Sequence, residues 1–386
     1  MNIGGPAIHA VLLTAGLDGD KFSTILVTGR VGENEGDMSY LTAENAIEPV
    51  GISELQREPS IAKDAAAFYK LYRFLKNERP DIVHTHMAKA GAIGRLAARI
   101  AGVPVVVHTF HGHTFHSYFN PLKTGIFIFI ERLLARITDK IIVISELQKR
   151  EVKQYLRPGG NNKITLIPLG FKLDMFLENR RDGGAGRLRE RFNIPKKAII
   201  VGIIGRLAAI KNHTMFLSAA KEIKRKNKGK DIKFLIVGDG GEKDGLKAFS
   251  DRLGIGGDVI FTGWLKDMPA LYSAVDIVAL TSLNEGTPVS LIEALAGAKP
   301  VVAADAGGVR DVVEDGKSGF IVPSGDISAF SEAVSALIND EGKRKAFGLH
   351  GREFVRKMYS ARRLIGDIER LYITEFRKHY AKRGNK

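Results

Sequence analysis

Residues 284–302 read NEGTPVSLIEALAGAKPVV, with the apolar run Asp276–Ala279 just before them and Pro300–Ala303 closing them. A strand, a loop, a segment of helical period and a second strand follow in that order, the pattern of a parallel crossover. The loop holding Glu285, Gly286 and Thr287 therefore lies at a strand's carboxyl end, where doubly wound sheets seat their ligands. Pro288 suits the first turn of the helix, where its missing N–H costs nothing. Free backbone N–H groups of Thr287, Val289 and Ser290 then point out of the helix start and suit a phosphate. Glu285 precedes the helix and Glu293 follows about one and a half turns into it. That spacing lets one carboxylate reach a sugar and the other a ribose hydroxyl of the same bound nucleotide. Two solvated surface carboxylates are the plainer alternative.

The same alternation runs through the rest of the chain. Upstream strands are expected at Ala198–Ile204, Ile232–Val237 and Val259–Thr262. The first half offers strands at Ser23–Thr28, Ile82–His84, Val103–Thr109 and Lys140–Ile144. Helices fit near Pro6–Gly16, Ala62–Asn77, Ala90–Ala101, Pro121–Ile137 and Glu146–Leu156. Between Leu156 and Lys197 the pattern breaks into RPGGNN and RRDGGAG, which read as connecting chain. The expected fold is α/β, with two doubly wound, Rossmann-like parallel-sheet domains and a ligand in the cleft between them. The first domain spans 1–172, a link 173–196, the second domain 197–358, and an amphipathic helix with a basic tail 359–386.

A second strand end carries IIGRLAAIKN, residues 203–212. Arg206 and Lys211 lie five apart in this loop, so both reach one diphosphate, Arg as a bidentate donor and Lys as a point charge. In a nucleotide transfer they neutralise the departing diphosphate with no metal needed. Gly205 in this loop and Gly238 in GDGGEKDG allow close backbone approach, although a lone glycine cluster is a weak signal.

Composition narrows the partners. The chain has 386 residues, 44% apolar and 26% charged, with a net charge of +15 and no cysteine. Disorder, disulfides, thiolate metal sites and a thiol nucleophile are excluded. Nothing near the start has the order of a signal peptide, and the most apolar stretch, Gly125–Ile130, runs into Glu131 and Arg132. A cytoplasmic protein is expected. Of the +15, residues 1–170 carry +4, residues 171–342 carry +1 and the last 44 residues carry +10. A nucleic-acid enzyme spreads its basic residues over a working face, so no nucleic-acid partner is expected.

Taken together, GRL…KN, E-x7-E and the following KPVVAADAGGVRDVVEDGKSGFIVPSGD resemble the family 4 retaining glycosyltransferases of GT-B fold. The likeness extends to RPDIVHTHMAKAGAIGRLAARIAGVPVVVHTFHGHTFHSYF in the first half, and the subfamily resembles bacterial enzymes of surface-polysaccharide assembly. The resemblance implies a nucleotide-sugar substrate, UDP- or GDP-linked, held mainly by the second domain. It implies a glycan or polyprenyl-linked acceptor held mainly by the first domain, and transfer with retention without metal or cofactor.

By the same resemblance Arg206 and Lys211 match the diphosphate-binding pair, Glu285 the acid on the transferred sugar, Glu293 the ribose ligand and His111 a histidine near the donor sugar. Gly286 and Thr287 offer backbone donors, and Gly4 and Gly5 match a glycine loop after a first strand. Only three residues precede that loop, so an incomplete start is expected. The last helix is expected to return across the domains, leaving its basic face to draw the enzyme to the inner face of the cell membrane.

Acceptor contacts are assigned to Lys89, His113 and His116, with Arg95 as a further cation for an acceptor phosphate. Helix 121–136 carries Phe127, Ile130 and Leu134 beside basic residues, which suits either a membrane surface or packing on the sheet. Asp18-Gly19-Asp20 mimics a metal-binding pair but sits at a strand's amino end and reads as a turn. Two rivals remain, a nucleotide-sugar epimerase of the same fold and a basic nucleic-acid-binding protein. Retention is expected by same-face attack with the leaving diphosphate as base, since the expected engagement of Glu285 with sugar hydroxyls argues against its acting as a nucleophile.

Overall fold

A computed structural model describes residues 5–31, 39–111, 121–159, 162–177 and 183–384, with side chains for all of these except 121–123 and 382–384. The chain divides into two compact units, one of Met1–Gly170 with Ala361–Lys386 and the other of Phe171–Ser360.

The first unit runs α1 (Gly5–Gly16), β1 (Val27–Gly29), α2 (Tyr40–Glu44), β2 (Val50–Ile52), α3 (Ile61–Glu78) and β3 (Ile82–His86). It continues with α4 (Ala88–Ala101), β4 (Val105–Thr109), α5 (Pro121–Ile137), β5 (Lys140–Val143), α6 (Glu146–Leu156) and β6 (Ile164–Leu166). Strands β3-β4-β5-β6 form one parallel sheet and β1-β2 a separate parallel pair. Val105, Val106 and Val107 are all buried, as a strand covered on both faces requires.

The second unit holds α7 (Asp174–Leu177), α8 (Gly184–Arg191), β7 (Ile199–Ile204), α9 (His213–Lys226), β8 (Ile232–Val237), α10 (Lys243–Arg252) and β9 (Val259–Gly263). Then come α11 (Met268–Ala274), β10 (Ile277–Leu280), α12 (Val289–Ala296), β11 (Val301–Ala304), α13 (Val309–Val312), β12 (Gly319–Val322), α14 (Ile327–Asn339) and α15 (Glu341–Tyr359). Its parallel sheet has the order β12-β11-β10-β7-β8-β9. From β7 the chain builds outward to one edge, then returns beside β7 and builds to the other, so the winding reverses between β7 and β10. Neighbouring residues of β8 point to opposite layers: Leu235 and Val237 join one core, Phe234 and Ile236 the other.

The last helix, α16 (Ala361–Gly384), belongs to the first unit. Leu364, Ile368, Leu371 and Tyr372 form its apolar stripe and are buried with Leu13, Val105, Val107, Ile142 and Ile167.

Several expectations shift. Residues 173–196 are not bare connecting chain: they carry α7 and α8, and Leu173, Phe176, Leu188 and Ile194 enter the core of the second unit. Apolar residues scattered among the glycines and arginines there find a shared buried surface. Helix α12 starts at Val289 with Pro288 as its cap, one residue later than expected. Residues 23–26 stay outside β1, and β2, β6 and β12 were not foreseen. The Asp18-Gly19-Asp20 segment is a turn in which Asp18 pairs with Lys21 at 2.5 Å.

Arg95 does not face solvent. It is 0% exposed, and its Nη2 donates to both carboxylate oxygens of Glu131 at 2.9 Å, tying α4 to α5. Breaking such a buried pair leaves one charge uncompensated, at about 3–5 kcal/mol, whereas replacing both partners with apolar residues is often neutral. Arg95→Ala is therefore expected to lower stability by about that amount in urea titration, and Arg95→Met with Glu131→Leu to recover most of it.

Candidate active site

In the second unit β7 and β10 are hydrogen-bonded neighbours, Ile277 opposite Val201 and Ala279 opposite Ile203. The loops that follow them leave the sheet side by side at the switch point, where an open α/β sheet has its crevice. Three backbone anchors bind the loops. Leu283 N–H donates to the Ile210 carbonyl at 2.9 Å, and the Thr281 hydroxyl lies within 3.1 Å of the Lys211 carbonyl and 2.9 Å of the Asn212 carbonyl.

Side chains complete the junction. Lys211 Nζ donates to Glu285 Oε1 at 2.6 Å, and the Ser282 hydroxyl donates to the same oxygen at 2.6 Å. Glu285 is only 9% exposed, and these two donors replace hydrogen bonds that water would otherwise make to its carboxylate. Arg206 is exposed in the same loop as Lys211. Gly286 is exposed, Thr287 half-buried, and the start of α12 at Val289 is open to solvent. Behind the acid, the Gly308 N–H donates to the Glu285 carbonyl at 2.9 Å. A Cβ on Gly308 would lie 1.9 Å from the Gly286 carbonyl oxygen, so this packing admits no side chain.

Glu293 occupies a different setting. Its Oε2 lies 2.9 Å from the Tyr272 hydroxyl, and burial pushes its carboxyl pKa up. Burial, with the neighbouring carboxylate, holds the Tyr272 hydroxyl far above its ordinary value, so it stays a donor. Glu293 lines a cavity of about 350 Å³ with Phe171, Lys172, Met175, Lys266 and Met268. Gly205 and Gly238 meet at the ends of β7 and β8. Gly238 has φ +137°, and a Cβ on it would fall 1.9 Å from the Gly205 carbonyl oxygen. Its glycine character is explained by this backbone packing. Beneath the Lys211 loop, His213 is fully buried, and burial with nearby Lys211 lowers its pKa to about 4.

The first unit gathers histidines. His84 and His86 lie on one face of β3, two residues apart. His86 Nδ1 lies 2.9 Å from His111 Nε2, and His84 bridges Tyr372 Oη at 2.6 Å and Thr109 Oγ1 at 2.7 Å. The His9 ring on α1 has its centroid 5.0 Å from that of His111 and 5.3 Å from that of His86. Both His9 ring nitrogens and His111 Nδ1 are buried without a partner among the described residues. Burial holds all four neutral, and lowers the pKa of His86 to about 4. His-x-His on a strand was the available sequence signal for His84 and His86. Nothing in the sequence pointed to His9, Tyr272 or Ser282.

Other expected residues fare differently. Lys89 Nζ pairs with Asp64 at 2.5 Å on α3, so its charge is already met. Gly5 opens α1 and is exposed. Gly4, His113 and His116 lie outside the described residues.

Two Rossmann-like units, one with its ligand crevice at this switch point, define the GT-B glycosyltransferase fold. The structure of Anabaena HepE in complex with UDP shares it, with a TM-score of 0.79 over 96% of each chain at 22% identity. Residues 186–354 match the family described as Glycosyl transferases group 1, and residues 3–175 match Glycosyltransferase Family 4. An Escherichia coli UDP-Gal:alpha-D-GlcNAc-diphosphoundecaprenol alpha-1,3-galactosyltransferase is 32% identical over 77% of this chain and 76% of its own. The Staphylococcus aureus capsular polysaccharide biosynthesis glycosyltransferase CapM is 26% identical over 83% of both. The chain belongs to the family 4 glycosyltransferases and is a glycosyltransferase.

Two outcomes follow from the geometry. Gly238→Ala forces a strained φ against the Gly205 carbonyl and is expected to cost about 1–3 kcal/mol, read as a lowered melting temperature. The buried histidines have folded pKa values below the unfolded value of about 6.5, so the unfolded chain binds more protons as pH falls. Stability is full above about pH 6.5 and is lost on acidification toward the folded pKa, about 4 for His86, at about 1.4 kcal/mol per pH unit for each histidine. Denaturation midpoints measured from pH 7 downward are expected to fall, less steeply in His86→Asn.

Proposed function

We propose that this enzyme transfers a sugar, with retention and without a metal, from a UDP-linked donor to a polyprenyl-diphosphate-linked glycan in cell-surface polysaccharide assembly. The observation that carries the proposal is the Lys211–Glu285 pair, fixed by Ser282 at the switch point beside the open start of α12. UDP is favoured over GDP because the E. coli relative is named for UDP-Gal and HepE was solved with UDP. The acceptor class follows the diphosphoundecaprenol in that relative's name. An enzyme at the inner face of the membrane suits such an acceptor, and exposed Arg362 and Arg377 on α16 supply charge toward anionic lipid.

In the proposed reaction Lys211 turns from Glu285 to share its charge with the donor diphosphate, joined by exposed Arg206 and the N–H groups at the start of α12. Glu285 is then free to accept hydrogen bonds from the sugar, and Glu293, held by Tyr272 in its cavity, receives the ribose hydroxyls. From the family resemblance we assign His111, positioned by His86 at 2.9 Å, a role on the transferred sugar. The acceptor hydroxyl attacks the anomeric carbon on the face the diphosphate leaves. As that C–O bond breaks, the departing diphosphate oxygen takes the acceptor's proton, and the cations stabilise the remaining charge.

The test is a panel of UDP- and GDP-sugars incubated with an undecaprenyl-diphosphate-linked GlcNAc acceptor, with nucleotide release and the anomeric configuration of the product recorded. Each charge-assisted hydrogen bond is worth roughly 1.5–3 kcal/mol. Lys211→Ala and Glu285→Gln are therefore each expected to lower turnover about tenfold or more. An altered sugar released without acceptor would establish the epimerase instead, and an inverted product would overturn retention.

A further inference from the structure

We propose that the outer face of α5 is a bilayer-docking surface, with Ile126, Phe129, Ile130 and Leu133 inserting into an anionic membrane. These four residues recur at i, i+3, i+4 and i+7, one stripe of a helix, and all are 44–60% exposed. The opposite face is fixed inward. Glu131 is locked to Arg95, and Leu134 and Ala135 are buried. Rotating α5 to hide the stripe would expose that buried pair. On α4, the helix to which this pair ties α5, Leu96 and Ile100 are exposed as well.

Charge names the partner. The one acidic residue of α5 is Glu131, and it is buried, while Arg132 and Arg136 are exposed beside the stripe. Arg132 Nε donates to the Tyr155 carbonyl of α6 at 2.6 Å, and α6 presents exposed Arg150 and Lys153, while its exposed Glu146 is paired with Lys149 at 3.0 Å. An apolar stripe flanked by cations, with no exposed acid on its helix, fits acyl chains below anionic headgroups better than a neutral protein surface. Helix α5 has 17 residues, about 25 Å at 1.5 Å per residue, and no helix among the described residues is long and apolar enough to cross a membrane. The fit is therefore a helix lying in the interface plane. The surface does not depend on which sugar is transferred, and it is separate from the basic end of α16.

The experiment compares the full-length protein with Phe129→Asp/Leu133→Asp, and with the milder Phe129→Gln/Leu133→Gln, by co-sedimentation with phosphatidylcholine vesicles with and without phosphatidylglycerol. Sedimentation velocity and nucleotide release from a UDP-sugar without vesicles are recorded in parallel. Expected are binding that requires phosphatidylglycerol and a loss of about tenfold or more in the aspartate variant, with melting temperature and nucleotide release unchanged. If the aspartate variant misfolds, the glutamine variant carries the test, with a smaller loss expected. Vesicle binding unchanged by either folded variant overturns the proposal. So does a wild-type dimer that the substitutions convert to monomer without altering vesicle binding, since the stripe would then be a contact between copies. Failure of the proposed glycosyl transfer would appear in the donor panel and leave the vesicle result unaffected.

Discussion

The pairing of β7 with β10 is the constraint on which the second unit's chemistry rests. Residues 201–203 and 277–279 are adjacent in register, so two loops about 75 residues apart in the chain must leave the sheet together. The junction of the two loops follows from that adjacency. It sets Lys211 against Glu285, lets Thr281 hold the backbone of the opposite loop and brings Ser282 onto the same carboxylate oxygen. Parallel strands alone impose this, since an antiparallel neighbour would send its loop to the other end of the sheet.

Much of the architecture was legible because parallel strands buried on both faces advertise themselves as Val- and Ile-rich runs. The run at 232–237 coincides with β8, and Lys140–Ile144 ends one residue past β5. The strands that escaped, β2, β6 and β12, are three or four residues long and only partly buried, too short to establish a period. Residues 284–302 exposed the acid loop and its helix because a ligand loop and the following helix are contiguous in sequence. Partnerships between distant residues left no such trace. Lys89 and Arg95 read as available cations, yet Asp64 and Glu131 claim them, and no local pattern shows that a charge has a partner 25 or 36 residues away. Tyr272 reached Glu293 from another helix for the same reason.

The first unit shows how burial replaces charge as a design element. Four histidines approach one another without mutual repulsion because desolvation keeps them neutral. Neutral imidazoles each offer one donor and one acceptor, so the His86–His111 contact couples the two rings' tautomers. A proton moved on one ring is felt by the other, and His84 links the group onward to Tyr372 on α16. The net charge of +15 is therefore no guide to this part of the molecule, although ionisable side chains crowd it.

Helix α16 also bears on the order in which the molecule is made. Residues 171–360 are continuous, whereas the first unit needs Leu364, Ile368, Leu371 and Tyr372 to fill its core. During synthesis the N-terminal residues emerge first but lack their closing piece until the last helix leaves the ribosome. The later-made unit is thus able to complete its core before the earlier-made one. Until then, the apolar surface over Val105, Val107 and Ile142 stays uncovered by its helix, the interval in which a nascent chain most needs a chaperone.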